Sequence, residues 1–581
     1  MKEFIGVLSR DRESSMSSEP AAPAFGPYRI LHRGFVANHD AVGRADGSDG
    51  AAFAAAYERW GADLSRHLFG EFAVAVYDTR DGSLLLAHDE LGLMPLYYAA
   101  DGRGIFFASH LDDVVRATGV RELDEEYIAD HFARGEHFGE RTPYRHIRRL
   151  LPGQNITWKD GSVRPAATWT LANLPPLEYR DEREYDDRLR TLLTEAVNAC
   201  TPATGKVWCE LSGGLDSSTL LVLARRHNPQ TEAVSFVFPK SYMSDEREWI
   251  DAVLEEHPVP WHPIDNDAVR PFSELPDRPH GEPNEWIARA GLERVYTGLL
   301  DEHGVDVVLS GEGGDAALLG DQQFPFFFAD MLLHGRLRQL RRSVADWTAG
   351  RRSGTFGFFA YTVRPALRYL RSVPLEYRPA PIAWASESFA RRMRLDERGR
   401  APWLPPAASV GAAYVLQRMV LAMNIIAVQH QHRHIRTEFR HPLLYRPLVE
   451  FMLRVPPSVN FRPDRDRVIQ RRALAGTLPG KTLSRRDKGG SCQPHIDGLE
   501  SSPAWYHALT ADPRIVRRGY AQLDTWRKTV QLARCGRVPG MKYFQASATL
   551  EIWLQHLEDQ SKASRSASLE LLGKDPIKTA T

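Results

Sequence analysis

The sequence predicts an α/β protein in which an N-terminal antiparallel β-sandwich precedes a C-terminal domain built on a parallel sheet. In residues 1–170, short apolar runs are separated by Asp-Gly pairs, which signal β-hairpins. Further on, an apolar strand at 207–211, a helix at 218–224 and a strand at 233–238 follow in the order of a βαβ unit. Another apolar strand, 305–309, also ends in a glycine turn.

Asp-Gly pairs support the antiparallel sheet. Asp81 and Gly82 stand between the apolar runs 72–77 and 84–87. Two similar pairs are Asp101 with Gly102, between 96–98 and 105–108, and Asp160 with Gly161, after 156–158. Strands joined by such short turns pair antiparallel, so these residues are expected to form one half of a sandwich.

Composition divides the chain into four parts. Residues 1–170 form the β-rich domain, and the Pro- and charge-rich residues 171–186 form a linker. Residues 187–560 form the second domain, which carries the βαβ unit and further helical patterns. Residues 561–581 are polar and small without apolar periodicity, so a disordered tail is predicted.

Bulk composition excludes several classes of protein. Lys plus Arg and Asp plus Glu number 74 each, so the formal net charge is zero and no dominant nucleic-acid footprint is expected. The four cysteines form no C-x-x-C pair, which argues against zinc fingers and a disulfide framework. We see no signal peptide after Met1 and no run of about 18 apolar residues. We therefore expect a cytoplasmic protein with no membrane and no nucleic-acid partner.

The strongest functional motif is the glycine-rich turn between the first strand and the helix of the βαβ unit. It comprises Leu211, Ser212, Gly213, Gly214, Leu215, Asp216, Ser217 and Ser218. Glycines permit a tight turn with exposed N–H groups, and the helix N-terminus and the serine hydroxyls add positive potential and donors. Such a cradle suits phosphate or pyrophosphate. Because Asp216 would repel phosphate, Mg²⁺ is predicted between them.

A second glycine-rich turn follows strand 305–309. It comprises Ser310, Gly311, Glu312, Gly313, Gly314 and Asp315. Two such turns at the ends of neighbouring parallel strands would meet at a topological switch point, where α/β proteins bind ligands.

The first turn resembles the S-G-G-x-D-S signature of the N-type ATP pyrophosphatases, and the second resembles the S-G-E-G-G-D segment of asparagine synthetases. The resemblance implies an adenine-nucleotide α-hydrolase-like (PP-loop) fold and an enzyme that uses ATP and Mg²⁺ to adenylate a carboxylate and form an amide. It implies that the first turn, Gly311 and Glu312 bind the nucleotide. Asp216 and Asp315 would share the Mg²⁺, and Ser235 matches the position where backbone groups read adenine.

Further segments resemble the same family. Residues 437–444 are similar to E-x-R-x-P-[FY]-L-D, with Tyr445 in place of the final Asp. By this resemblance, Glu438 faces the acceptor amine. Asp245 with Glu246 resembles a family D-E pair, with a solvated helix start as the alternative.

Two basic segments complete the resemblance. Residues 467–473 are similar to K-x-x-L-R-x-A, with Arg467 replacing Lys, and residues 484–490 resemble an R-x-K-x-G turn. The resemblance gives Lys488 the role of stabilising charge on the reacting carbonyl and on pyrophosphate. A nearby cluster matches no known metal-ligand spacing, so we expect a polar helix face there; its members are His430, His432, His434 and His441.

Residues 54–114 resemble the glutaminase domain of asparagine synthetases, which has an Ntn-hydrolase-like fold. The resemblance of the whole chain covers most of residues 54–500 and is weak over 325–410. Glutaminase chemistry in this family needs a cysteine as the first mature residue. Here the first cysteine is Cys200, and His88 stands where the family has Arg. We therefore expect an inactive remnant with a structural or partner-binding use.

An enzyme without a glutaminase must take its amine from elsewhere, and an amine in the same molecule as the acid would give a lactam. β-Lactam synthetases and lasso-peptide cyclases do this on the same scaffold. Tyr445, the basic segment 430–441 and the basic-aromatic insert 325–380 favour the cyclase, which adenylates an Asp or Glu side chain of a leader-free precursor peptide. The resemblance then implies a leader-binding protein and a leader peptidase as partners. β-Lactam synthetase-type chemistry, ammonia-dependent asparagine synthesis and a non-enzymatic scaffold remain open.

Overall fold

A computed structural model shows the fold of the chain. It describes residues 4–9, 16–19, 21–43, 47–135, 139–169, 174–241, 244–278, 280–320, 324–351, 355–371, 382–398, 410–429, 436–462, 465–486 and 492–572.

Two antiparallel sheets form the N-terminal domain, as the hairpin signals predict. Its strands are β1 (Ile5–Ser9), β2 (Met16–Glu19), β3 (Ala24–Phe25), β4 (Tyr28–Val36), β5 (Gly70–Asp78), β6 (Ser83–His88), β7 (Tyr97–Asp101), β8 (Gly104–Ala108), β9 (Arg148–Arg149), β10 (Gln154–Lys159) and β11 (Ser162–Ala167). One sheet has the order β2-β1-β8-β7-β9, and the other has the order β11-β10-β6-β5-β4-β3. The predicted Asp-Gly turns connect β5 to β6, β7 to β8 and β10 to β11, and each pair is antiparallel.

Strand β5 shows how the two sheets pack. Its residues from Phe72 onward are buried, and side chains alternate between the two faces, as the period of a strand requires. Ala73 and Ala75 face the core shared with the other sheet, while Val74 and Val76 pack with the helix on the outer face. Three α-helices complete this domain: α1 (Asp49–Trp60), α2 (Leu111–Thr118) and α3 (Glu125–Arg134).

The second domain is built on a parallel sheet. Its elements up to the second glycine turn are α4 (Glu182–Cys200), β12 (Val207–Glu210), α5 (Leu215–His227), β13 (Thr231–Val237), α6 (Arg247–Glu256), β14 (Trp261–Asp265), α7 (Ala290–Glu302), β15 (Val307–Leu309) and α8 (Gly314–Ala317). Helix α4 begins at a capping box of Asp181 and Glu184, inside the predicted linker 171–186, because this pair satisfies the first free N–H groups.

The later elements are mostly helical. They are α9 (Phe324–Leu333), α10 (Leu337–Arg351), α11 (Thr355–Leu370), α12 (Glu387–Arg392), α13 (Leu395–Arg398), α14 (Val410–Gln429), β16 (Glu438–Arg440), α15 (Arg446–Arg454), α16 (Pro457–Asn460), α17 (Val468–Ala473), α18 (Gly480–Ser484), α19 (Gln493–Ser501), α20 (Pro503–Thr510), α21 (Arg514–Arg517), α22 (Leu523–Arg534) and α23 (Met541–Leu572). Short 3-10 helices lie at His39–Val42, Gly61–Arg66, Glu285–Arg289 and Pro442–Leu444.

The sheet order is β14-β13-β12-β15-β16, and all four pairings are parallel. The chain moves from β12 outward to β14 and then crosses to the other side of β12 to form β15 and β16. The switch point therefore lies between β12 and β15, the two strands that precede the glycine turns. The coarse fold prediction, an antiparallel domain followed by a parallel-sheet domain, is confirmed.

Two expectations about helices change. Helix α23 continues to Leu572, so it enters the segment 561–581 that was predicted to be disordered. This segment, although polar, contains Ala, Leu, Glu and Lys, which favour helix, and it continues a helix whose first turns are packed. Within the described chain, one helical window, Val410–Ala427, is long and apolar enough to cross a membrane, but 61% of it is buried inside the protein, as in a core helix.

Candidate active site

The turn after β12 adopts a shape that only glycine permits. Gly213 has a φ of +67°, and a Cβ atom there would lie 2.4 Å from the backbone carbonyl carbon of Trp249. Ser217 Oγ accepts from the Ser212 N–H at 3.1 Å. Gly214 is the N-cap of α5, and no side chain caps the first turn of this helix. Backbone N–H groups of that turn are therefore suited to bind an anion.

The residues predicted to bind phosphate divide into two groups. Ser212, Gly213, Gly214 and Ser217 form the turn itself, and Ser212 is exposed. Leu211 belongs to the core, where its N–H donates to the Val234 carbonyl at 2.8 Å. Ser218 is fully buried, and its hydroxyl has no partner among the described residues. These last two residues support the turn from behind.

The second glycine turn packs directly against the first, as predicted. A Cβ atom on Gly311 would lie 3.6 Å from Asp216 Cβ, and one on Gly314 would lie 2.8 Å from Asp216 Oδ2. Gly313 has a φ of +83° and faces Leu444. The carboxyl ends of β12 and β15 thus form one continuous surface, and Asp216 lies at its centre.

Asp216 and Asp315 meet on a shared guanidinium group. Arg467 Nη1 donates to both carboxylate oxygens of Asp216 at 2.7 Å, and Arg467 Nη2 donates to Asp315. Gln470 adds a bond to Asp216 Oδ1 at 3.1 Å. Arg467 is only 5% exposed and adopts a left-handed backbone conformation, with φ at 50°, that side chains rarely take. Arg467, which stands where the family segment has Lys, therefore joins the two aspartates.

The donor set fits a magnesium ion carried by phosphates. Two carboxylates converge on one point, and carboxylate oxygens are the ligands that Mg²⁺ prefers, with its other positions left to water and phosphate. Arg467 supplies positive charge at that point in this structure. Loading of Mg²⁺ would require Arg467 to give up part of this contact, and Asp216 and Asp315 would then hold the ion.

Arg485 was not singled out from the sequence, although it lies in the basic 484–490 segment. Its guanidinium donates to the Ser212 carbonyl at 3.1 Å and binds Glu246, and it stacks on Trp249. Glu246 thus helps to hold the first turn, which favours a site role over a solvated helix start. The predicted Lys488 lies outside the described residues.

Ser235 lies within β13 and has a structural contact. Its Oγ donates to the Leu211 carbonyl at 2.6 Å and accepts from Trp261 Nε1 at 2.9 Å. The side chain therefore ties β13 to the start of the first turn. The predicted contact of its backbone with adenine stays a prediction.

Glu438, which the resemblance assigns to the acceptor amine, is the first residue of β16. It pairs in register with Val307, at the amino end of β15, so it lies about 7 Å along the strand from the carboxyl edge that bears the turns. Its carboxylate binds Arg440 at 2.8 Å, and Arg440 in turn stacks on Phe35. Strand residues two apart share a face, so Glu438 and Arg440 lie on the same face of β16. The role of Glu438 at the acceptor amine stays a prediction.

A different pair of acids lies at the carboxyl edge. Glu210 accepts from the Tyr296 hydroxyl at 3.0 Å, and burial raises its pKa. Burial also raises the pKa of Glu312, and the charge of Glu210 adds to this effect. The sequence offered a signal for Glu210, since a charged residue inside an apolar strand is unusual. Such an acid pair is suited to proton transfer.

His441 connects this acid pair to the N-terminal domain. It is 1% exposed, and its Nδ1 lies 3.0 Å from Glu71 Oε2 on β5. His441 follows β16, the strand next to β15, so it connects the carboxyl edge of the sheet to β5. The other members of the histidine cluster lie outside the described residues. Within the described ranges no group of three or more His, Cys, Asp or Glu could hold a metal.

The fold and the site define an α/β protein with paired carboxylates at the switch point of a parallel sheet. Residues 188–567 match the family model of asparagine synthase, and residues 38–169 match that of a glutamine amidotransferase domain. The chain belongs to the asparagine synthase family.

Curated relatives match the chain over different shares of its length. A Mycobacterium tuberculosis protein named for glutamine-hydrolyzing asparagine synthetase is 31% identical over 215 residues, which is 36% of this chain and 33% of the relative. The first relatives are thus matched over only a third of their length. Asparagine synthetase (glutamine-hydrolyzing) 3 of Bacillus subtilis is 24% identical over 80% of this chain and 74% of its own. Amidase chyE of Penicillium rubens is 24% identical over 71% and 67%.

One solved structure is glutamine phosphoribosylpyrophosphate amidotransferase of Bacillus subtilis, complexed with ADP and GMP. It covers 53% of this chain and 84% of its own, with 11% identity and a TM-score of 0.22. A likeness at this level carries no functional argument.

Proposed function

We propose that the protein is an ATP-dependent ligase that activates a substrate carboxylate as an acyl-adenylate and joins it to an amine, releasing AMP and pyrophosphate. The observation that carries this proposal is the meeting of Asp216 and Asp315 between two glycine turns at the switch point. Family membership supports it, as does the uncapped N-terminus of α5. The PP-loop type of nucleotide site is part of the same proposal.

The residues divide the work as follows. The turn from Ser212 to Ser217 holds pyrophosphate through backbone N–H groups, and Asp216 and Asp315 hold Mg²⁺, which offsets phosphate charge. The substrate carboxylate attacks the α-phosphorus and pyrophosphate leaves. An amine then attacks the acyl carbon, the bond to AMP breaks, and the AMP phosphate takes the electron pair. Lys488 is proposed to stabilise the charge on the carbonyl oxygen.

Glu312 is the acid best placed to take the proton from the attacking amine. It lies on the second turn, close in sequence to Asp315. Burial raises its pKa, so its carboxylate is a stronger base than that of an exposed Glu. Its neighbour Glu210 keeps a second acid within the same cluster. Glu438, which forms an ion pair with Arg440 on β16, is the alternative residue proposed to position or deprotonate the amine.

The proposed substrate is a peptide that carries both the acid and the amine, so the product is a macrolactam, as made by lasso-peptide cyclases. Residues 1–199 contain no cysteine, so the N-terminal domain offers no thiol to release ammonia from glutamine. A leader-binding protein and a leader peptidase are the proposed partners. Small-lactam formation of the β-lactam synthetase type and ammonia-dependent asparagine synthesis are the alternatives within the same chemistry.

Product analysis tests this function. Purified protein with Mg²⁺-ATP is given, in separate reactions, synthetic linear peptides with a free α-amine and one internal Asp or Glu, a carboxyethyl amino acid, or aspartate with ammonium. We expect AMP and pyrophosphate, with loss of one water from a peptide. A small lactam as product would identify β-lactam synthetase-type chemistry, and asparagine would identify ammonia-dependent asparagine synthesis. Either product would overturn the peptide assignment.

Two variants serve as controls for this experiment. Asp216→Asn and Asp315→Asn should abolish AMP formation, because each removes one of the two converging carboxylates. A folded wild-type protein that forms no AMP with any substrate class would favour the non-enzymatic scaffold.

A further inference from the structure

Glu71 of the N-terminal domain contacts the edge of the parallel sheet in the second domain. It lies at the start of β5 and is 3% exposed. Its carboxylate accepts from the backbone N–H of His441 and lies 3.0 Å from Nδ1 of the same residue, which is 1% exposed. One buried carboxylate thus holds both the backbone and the ring of a residue in the other domain.

This contact needs two acceptor atoms on Glu71. A carboxylate has no hydrogen to donate, so Nδ1 of His441 carries the hydrogen in their bond. The backbone N–H of His441 uses the other carboxylate oxygen. A side chain that offers only one acceptor could not satisfy both donors, and a buried donor without a partner is costly.

His441 stands level with two residues at the carboxyl edge of the sheet. Arg440 pairs in register with Leu309, and Leu309 pairs with Cys209. The residues that follow these three on β16, β15 and β12 are His441, Ser310 and Glu210. The Ser310 N–H donates to the Arg440 carbonyl at 3.0 Å, so the ladder continues to this level. Neighbouring strands lie about 4.8 Å apart, which makes His441 and Ser310 neighbours.

Ser310 links this level to both acids at the carboxyl edge. Its Oγ accepts from the Glu312 N–H at 3.3 Å. Burial raises the pKa of Glu210, and a hydrogen bond from the Ser310 hydroxyl opposes that rise. A path of direct neighbours therefore runs from Glu71 through His441 and Ser310 to the acid pair.

Asp315 is held by a different contact. Arg467 binds it together with Asp216, and neither contact involves the N-terminal domain. The second glycine turn is thus supported at two places, through Ser310 near its start and through Arg467 near its end. A change at Glu71 should act on the first place and leave the two aspartates joined.

We infer that Glu71 is a positioning residue for the step in which Glu312 accepts the proton of the attacking amine. Its contact with His441 keeps Ser310, and with it the start of the second glycine turn, in place. This role rests on the proposed ligase function and adds a residue of the N-terminal domain to that site. It gives this domain a use that needs no thiol.

Two half-reactions separate positioning from folding. ATP–pyrophosphate exchange, measured on the full chain with a substrate whose amine is acetylated or left out, reports adenylation alone. Amide formation is measured with the same substrate carrying its free amine, chosen from the three classes given above as the one that yields AMP with the wild type. Glu71→Gln should lower kcat for amide formation about tenfold, with exchange and KM for ATP unchanged, because one of two hydrogen bonds to His441 is lost.

A double variant tests the contact from both sides. In Glu71→Gln with His441→Asn, the Gln oxygen can accept the backbone N–H while the Gln amide donates to the Asn oxygen. This pair should therefore have a higher kcat for amide formation than Glu71→Gln alone. A double variant no better than the single one would overturn the positioning role, because the effect of Glu71 would then not pass through residue 441.

Asp130→Asn is the matched control. Asp130 also belongs to the N-terminal domain and accepts across the domain boundary, from Arg398 Nη1 at 3.0 Å, but its partner lies on α13. Both half-reactions should keep their wild-type rates in this variant. A loss of amide formation as large as that of Glu71→Gln would show that any domain contact has this effect, and would also overturn the specific role of Glu71.

The remaining outcomes separate the two proposals. Equal losses of exchange and amide formation in Glu71→Gln, or no loss in either, would overturn the positioning role and leave the ligase function standing. No AMP from the wild type with any substrate class would overturn the ligase function itself. If Glu71→Gln does not fold, Glu71→Asp replaces it with the same expected split, because it keeps the charge but draws the carboxylate back by one methylene group.

Discussion

Arg467 binds both carboxylate oxygens of Asp216 at 2.7 Å. The same guanidinium also binds Asp315, so one buried cation neutralises two acids that come from different strands. A charge-assisted bidentate contact of this kind is strong and geometrically defined. The contact holds together the two aspartates that are proposed to bind Mg²⁺.

Arg467→Met should destabilise the protein by roughly 3–5 kcal/mol, because it leaves a buried carboxylate without its counter-charge. Added Mg²⁺ should recover part of this loss, since an ion that binds only the folded state raises its stability. Thermal unfolding with and without Mg²⁺ measures both effects. Arg472→Met, which breaks a more exposed ion pair on the same helix, is the control. An equal effect of Mg²⁺ on the variant and the wild type would contradict an ion site at these aspartates.

Glu312→Gln and Glu438→Gln form a matched pair. The first should lower kcat for amide formation by at least about a hundredfold, because it removes the proposed general base, while AMP binding persists. The second should retain most of kcat, because Glu438 binds Arg440 near the other end of its strand. If Glu438→Gln lost activity and Glu312→Gln kept it, Glu438 on β16 would be the base for the amine and the assignment of Glu312 would fail.

The raised pKa of Glu312 also predicts a pH profile. A base acts in its ionised form, which is present above its pKa, so the acidic limb of kcat against pH should lie above 4.5, the ordinary value for Glu. Burial is the main cause of the shift. A limb at or below 4.5 would exclude Glu312 as the group that controls the rate.

Gly213→Ala should disrupt the first glycine turn. A Cβ atom would lie 2.4 Å from backbone of Trp249, which cannot move aside as a flexible side chain would. Gly304→Ala is the control, since Gly304 has a similar φ of +61° but open space around it, and should cost about 1 to 2 kcal/mol. ATP binding should be lost in the first variant and kept in the second. Retained ATP binding by Gly213→Ala would mean that the turn is not the phosphate cradle.

Glu90 predicts a pH-dependent stability. It is buried with one carboxylate oxygen unpaired among the described residues, and burial raises its pKa from 4.5 to about 8. The folded state therefore holds a proton that the unfolded chain releases, so the contribution of Glu90 to stability is present below pH 4.5 and is lost as the pH rises towards 8.

Glu90→Gln should remove this loss. The difference in Tm between the variant and the wild type should grow in favour of the variant from pH 4.5 to 8. The exposed Glu248→Gln should show no such trend. A constant difference across this range would show that Glu90 does not hold its proton in the folded protein.

The sequence by itself determined the parts of the fold and site that depend on neighbouring residues. Asp-Gly pairs between apolar runs predicted the hairpins at Asp81, Asp101 and Asp160, because loop length and turn chemistry are local. The meeting of the two glycine turns was predicted from their positions after apolar strands, and Gly311 indeed lies against Asp216.

Tertiary structure alone decided how distant segments meet. Arg467 reaches Asp216 across 251 positions of sequence, and His131 comes to share a cavity with Asn424, a residue of the other domain. Glu438 was assigned from a motif, and only the tertiary structure shows its register with Val307 and its ion pair with Arg440. The reason is physical: periodicity and turn residues encode contacts a few positions apart, whereas the pairing of buried charges depends on how whole elements pack.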